Sequence, residues 1–147
     1  MQAIDNIPLA NIQIGLTAVD WKDAIHQAAS PLIHSKAILP GYVDSMIRGV
    51  EQLGPYVALM PGFALAHSAP SSDVLRTDIS LGVFDTPIEF HSENDPIYVV
   101  MSLACKDRES HIQRLQGIAH KFLEAPDLVS RIRGCSSKNE LFVLLNE

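Results

Sequence analysis

The run IYVVMSLAC at residues 97–105 is apolar but for Ser102, carries no charge and is rich in Val and Ile. It is far shorter than the ~20 residues of a membrane-spanning helix, and Asn94-Asp95-Pro96 before it is loop chemistry. It therefore reads as a central strand. A strand with both faces apolar must be covered on both sides, which restricts the chain to helices layered around a sheet.

The rest of the sequence supplies those layers. Asp20 precedes Trp21, Ala24, Ile25, Ala28, Ala29, Leu32 and Ile33 at spacings of three and four, predicting a capped helix that Pro31 should kink. A second helix follows Pro40, carried by Tyr42, Val43, Met46, Ile47 and Val50, and Gly54-Pro55 ends it. Ile12, Ile14 and Leu16 alternate as in a half-buried strand. Residues 56–60 read as a short buried strand closed by Pro61-Gly62, and 68–76 as a polar loop. Residues 77–84 alternate as a further strand, with Asp85-Thr86-Pro87 as the turn after it. Ser110 is the expected N-cap of a helix with an apolar face of Ile112, Leu115, Ile118, Ala119, Phe122 and Leu123, which puts His111 in its first turn. Pro126 opens a short helix ended by Gly134, and Ser137 with Glu140 forms a capping box before a last one. The expected fold is α/β, a three-layer-like sandwich with a mixed (parallel and antiparallel) central sheet of about five strands flanked by helices, as a single domain over residues 1–147.

Charge narrows the function. Eleven Lys and Arg against seventeen Asp and Glu give a formal charge of −6, with no basic block to track a phosphate backbone, so no nucleic-acid partner is expected. The N-terminus lacks the charged and apolar regions of a signal peptide, and a cytoplasmic location is expected. Cys105 and Cys135 form no ligand or redox motif. Neither a phosphate-binding G-x-x-x-x-G-K-[ST] loop nor a G-x-G-x-x-G turn occurs.

Six histidines remain to be placed. They show no H-x-x-x-H pair or Cys/His cluster, so a metal site is not expected. His26, His34 and His120 have polar helical neighbours and His91 lies in a polar loop, all consistent with surface positions. His67 follows a predicted strand on the side where α/β sheets place their ligand sites. His111, at a helix start, has unpaired N–H groups and the positive dipole end nearby, which favour an anion. Spacing alone leaves both also readable as ordinary structural residues. A Ser-His-Asp hydrolase using Ser68 or Ser71 lacks the G-x-S-x-G elbow.

The segment Pro61-Gly62-Phe63-Ala64-Leu65-Ala66-His67, followed by Ser110-His111-Ile112, resembles the EIIA component of the phosphoenolpyruvate-dependent sugar phosphotransferase system, fructose/mannitol superfamily. The resemblance covers nearly the whole chain. Residues 18–25 (AVDWKDAI), Pro31-Leu32, Gly54-Pro55-Tyr56 and Glu93-Asn94-Asp95-Pro96 are similar to the ascorbate-type branch. The resemblance implies a phosphotransferase: His67 accepts a phosphoryl group from phospho-HPr through Nε2, His111 stabilises the phosphate, and an EIIB component, by a cysteine in ascorbate-type systems, takes it onward. Membrane EIIC then serves uptake of L-ascorbate or a related sugar, with no cofactor or metal. A nitrogen-type regulatory EIIA is the alternative that it implies. Ala66 departs from the family's usual proline and Phe63 from its smaller aliphatic residue, and Arg48 is out of register with the mannitol branch's arginine and is left unassigned. An orienting carbonyl is expected at Nδ1 of His67, and Met60, Phe63 and Leu65 are candidates for the floor or rim of a docking patch.

Overall fold

In a computed structural model, which describes residues 7–146, the apolar run forms the central strand β5 (Ile97–Ala104) of a five-stranded sheet. The other strands are β1 (Ile12–Leu16), β2 (Ala58–Met60), β3 (Phe63–Ala66) and β4 (Asp78–Ile88), in the spatial order β1-β4-β5-β3-β2. β4 and β5 pair antiparallel, as do β2 and β3, whereas β3 runs parallel to β5 and β1 parallel to β4. The sheet is mixed, as expected.

Alternation along the strands sorts the core into two layers. Val100 and Ala104, with Ala64 and Ala66, pack beneath α1 (Trp21–His34) and α2 (Pro40–Leu53). Val99, Met101 and Leu103, with Phe63 and Leu65, pack beneath α3 (Arg108–Glu124), α4 (Leu128–Arg133) and α5 (Lys138–Leu145). Phe63 stacks on Phe122 with ring centroids 3.9 Å apart, joining β3 to α3.

Small residues let α1 approach the sheet. Ala24, Ala28 and Ala29 face it, and Ser80 Oγ donates to the Ala28 carbonyl at 2.7 Å. Gly82 leaves room at this contact, where a Cβ would lie 3.0 Å from a Leu16 methyl and 3.5 Å from Ala28 Cα. Asp20 caps α1 by accepting from Asp23 N–H at 2.8 Å, and the helix runs through Pro31 to His34. The buried residues of α2 are the five that spacing identified.

Several boundaries differ from expectation. Residues 56–60 do not form a buried strand: β2 is a three-residue edge strand with Leu59 37% exposed. The buried strand is β3, which lies between β2 and β5, and Pro61-Gly62 is the turn of a hairpin, with Gly62 at φ +85°. Asp85-Thr86-Pro87 is no turn either. β4 continues through it to Ile88, with the register against β5 shifting between Val83 and Ile88, and such an irregularity is where a strand accommodates proline.

The cap of α3 is Asp107 rather than Ser110; its carboxylate accepts from Ser110 N–H at 2.7 Å. Ser110 Oγ instead accepts from Arg114 Nε at 3.0 Å. Ile112 and Leu123 are exposed, and the buried stripe runs through His111, Ile118 and Phe122 with Leu115 against it. α4 starts at Leu128, two residues after Pro126. Ser137 caps α5, but the Glu140 carboxylate reaches Ser136 N–H instead of closing on Ser137.

Candidate functional site

Two strands end next to each other at the site. β3 pairs parallel with β5, Ala66 opposite Ser102, so both deliver their carboxyl ends to one edge of the sheet. His67 leaves β3 there, while β5 passes within a few residues into α3. By alternation with Phe63 and Leu65, the next odd-numbered side chain, His67, is directed to the α3 side. His111 lies on the inward stripe of α3, and the two imidazoles meet with centroids 5.6 Å apart and planes inclined by 51°.

Their protonation follows from their partners. His67 Nδ1 lies 2.8 Å from the Leu65 carbonyl oxygen. A carbonyl can only accept, so Nδ1 carries the proton and Nε2 of the neutral ring carries a free lone pair. Burial pulls the His67 pKa below its ordinary 6.5, with the bond to Leu65 working in the opposite direction. His111 is 8% exposed, and burial, then the neighbouring His67, lower its pKa as well. Both rings are neutral near pH 7. His111 Nδ1 is buried and has no hydrogen-bond partner among the described residues.

The N–H groups of Ser110 and His111 are already engaged, by the Asp107 carboxylate and the Asp107 carbonyl respectively. At these positions α3 therefore offers His67 an imidazole rather than backbone amides, a narrower contribution than an open helix N-terminus.

Beyond Ala66 the chain leaves the sheet and two tyrosines hold it. Tyr56 donates its hydroxyl to the His67 carbonyl at 3.0 Å and sets its ring edge-on to the imidazole, centroids 5.3 Å apart at 90°. Tyr42 is fully buried. Its hydroxyl accepts from Ser68 N–H at 3.0 Å and lies within donating distance of the carbonyls of Leu103, at 2.9 Å, and Ser68, at 3.0 Å. Burial pushes the Tyr42 phenol well above its ordinary pKa, so it stays protonated. Spacing marked Tyr42 only as an apolar helix position, and no local signal marked Tyr56 as a partner of His67.

Phe63 and Leu65 are core residues, not a docking rim, because both lie under α3, α4 and α5; Met60 is half-buried. Apolar surface beside the His67 imidazole comes from Tyr56, which is 36% exposed. Arg48 is exposed and donates to Ser45 Oγ at 3.3 Å. His26, His34, His91 and His120 are exposed, as expected. Among the described residues no cluster of three or more His, Cys, Asp or Glu is arranged to hold a metal ion, and no helix is long and apolar enough to cross a membrane.

The chain is similar to known proteins over nearly its whole length. The family model described as phosphoenolpyruvate-dependent sugar phosphotransferase system, EIIA 2, matches residues 6–147. The ascorbate-specific PTS system EIIA component of Escherichia coli (strain K12) is 30% identical over 138 residues, 92% of this chain and 89% of that protein. The solution structure of the mannitol-specific cryptic phosphotransferase enzyme IIA CmtB from Escherichia coli superposes with a TM-score of 0.86 at 26% identity, over 99% of both chains. A further match, at 25% identity and a TM-score of 0.81, covers 95% of this chain and 96% of that one; it belongs to the complex of mannitol enzyme IIA with phosphorylated enzyme IIB from Escherichia coli.

Proposed function

From the premise that the chain belongs to the EIIA 2 family of the phosphoenolpyruvate-dependent sugar phosphotransferase system, whose members are phosphoryl-carrying phosphotransferases that act with an EIIB partner, we propose that His67 is the residue that carries the phosphoryl group. The observation that carries this reading is the bond from His67 Nδ1 to the Leu65 carbonyl, with His111 beside the ring. It leaves Nε2 as the nucleophilic nitrogen. The whole chain acts as one domain of this type.

In the first step the Nε2 lone pair of His67 attacks phosphorus in phospho-HPr. The new N–P bond forms as the donor's N–P bond breaks, and the donor nitrogen keeps the electron pair. The proton on Nδ1 stays in place, and the positive charge developing on the ring is stabilised by the Leu65 carbonyl. That charge also makes the ring a good leaving group for onward transfer to a cysteine on EIIB.

Phosphoryl transfer is loose and metaphosphate-like, so its catalysis is mostly positioning and charge stabilisation. His111 supplies the latter. An orphaned buried N–H is the costlier orphan, so the unpartnered Nδ1 of His111 is the unprotonated nitrogen and Nε2–H is the donor to the equatorial oxygens. Such a bond to a charged group contributes about 1 to 3 kcal/mol. The formal charge of −6 speeds encounter with basic partner surfaces. With the ascorbate-specific relative at 30% identity, the transported substrate is L-ascorbate or a related sugar, moved by a membrane EIIC component.

The test is reconstitution with phosphoenolpyruvate, Enzyme I and HPr, followed by mass spectrometry. The expected product is a single acid-labile phosphoryl adduct on His67, passed on when EIIB is added. An unmodified protein, or an adduct retained by His67→Ala, overturns the assignment.

A further inference from the structure

We propose that Tyr56 is a positioning residue for the phosphoryl acceptor, its hydroxyl and ring together fixing the angle at which His67 presents Nε2; this rests on the reading of His67 as that acceptor. The Leu65 carbonyl holds one atom of the imidazole, Nδ1, and a single hydrogen bond leaves the ring free to swing about it. The backbone of His67 needs its own restraint, because β3 ends at Ala66. Tyr56 supplies both missing constraints. Its hydroxyl donates to the His67 carbonyl at 3.0 Å, and its ring meets the imidazole at 90°, the edge-to-face arrangement favoured by aromatic quadrupoles. Burial raises the phenol's pKa, so it remains a donor throughout the neutral range.

A second, independent feature points to the same function. Gly49 sits inside α2, where glycine is a poor helix former, and a Cβ at that position would come within 2.8 Å of the Tyr56 hydroxyl oxygen. The helix thus gives up propensity at a position where a side chain would crowd the phenol oxygen. Gly49 itself makes none of the contacts to the imidazole described above, so a substitution there perturbs His67 only by way of Tyr56.

The experiment compares wild type, Tyr56→Phe and Gly49→Ala in single-turnover transfer from phospho-HPr, with 15N NMR of the His67 ring and thermal midpoints. Tyr56→Phe should slow the maximal transfer rate by about five-fold, the worth of one ordinary hydrogen bond, at an unchanged HPr saturation constant. Its His67 nitrogen signals should move from a single tautomer toward a mixture. Gly49→Ala should reproduce both effects without a lower thermal midpoint, since alanine favours the helix. Wild-type rates and nitrogen signals in both variants overturn the proposal, as does a slowing confined to the HPr saturation constant, which marks Tyr56 as a docking contact only. A wild-type protein unlabelled at His67 overturns the acceptor reading instead, and the proposal with it.

Discussion

His67 and Leu65 are two positions apart on one chain, and the side chain of the first turns back to bond the backbone carbonyl of the second at 2.8 Å. A residue in the middle of a sheet could not do this, since ladder pairing uses its neighbours' carbonyls. The bond forms at the end of β3, where the imidazole is free to fold back over its own strand. One short contact thereby selects the tautomer and leaves Nε2 with its lone pair, the ring of His111 lying 5.6 Å away between centroids.

If His111 stabilises the migrating group, its loss weakens the transition state without removing the acceptor. His111→Ala should slow single-turnover transfer from phospho-HPr by about ten-fold or more, on the conversion of ~1.4 kcal/mol per decade. His67→Ala should abolish transfer. An unchanged rate in His111→Ala would remove that residue from the site.

The lowered pKa values of both histidines have a pH consequence. Each ring binds its proton more weakly in the folded chain than in the unfolded one, chiefly through burial. Below the unfolded value of 6.5 the unfolded chain takes up protons first, so stability is complete above that pH and falls as the pH drops toward the folded values. Thermal midpoints across pH 5 to 7.5 should therefore decline more steeply in the wild type than in His67→Asn/His111→Asn; equal slopes would contradict the pKa ordering. Transfer, which needs neutral His67, should persist below pH 6.5 for the same reason.

Much of this arrangement was legible in the sequence where one signal was strong and local. The central strand, α2 with all five of its buried positions, and the Asp20 and Ser137 caps follow from periodicity and side-chain chemistry that tertiary packing reinforced. The hairpin at Pro61-Gly62 was hidden, since Phe63-Ala64-Leu65-Ala66 is short and apolar on both faces and shows no alternation. Asp107 and Ser110 are both good caps three residues apart, and periodicity read from Ile112 picks a different stripe from periodicity read from His111. The stripe formed by positions 111, 115, 118 and 122 was the signal that could have settled it. Spacing left His67 and His111 with two readings each, and only resemblance joined them, because their meeting depends on the parallel pairing of β3 with β5. The Leu65 carbonyl and the hydroxyls of Tyr42 and Tyr56 act through the folded backbone, which no local pattern announces.

The Phe63 and Phe122 stack lies behind the site and should matter for stability rather than chemistry. Both rings are buried, so Phe122→Ala should cost about 3 to 5 kcal/mol in denaturant unfolding, lost burial and cavity together. The folded fraction of this variant should still accept the phosphoryl group on His67. A loss under about 1 kcal/mol would show that α3 is held elsewhere.

Asp107 touches neither imidazole by any contact described, yet its carboxylate caps α3 through Ser110 N–H at 2.7 Å and its carbonyl receives the His111 N–H at 3.1 Å. Removing the carboxylate in Asp107→Ala frees the first turn and costs about 1 kcal/mol of stability. The first turn to fray is the one that leads into His111, so transfer should slow in the same direction as His111→Ala but by a smaller factor. Asp107→Asn and Asp107→Ser, whose side chains also cap, should restore both stability and rate. The discriminating measurement is the double variant Asp107→Ala/His111→Ala: if the cap acts through the imidazole, it should transfer no more slowly than His111→Ala alone, whereas additive losses would mean that Asp107 serves the reaction by another route.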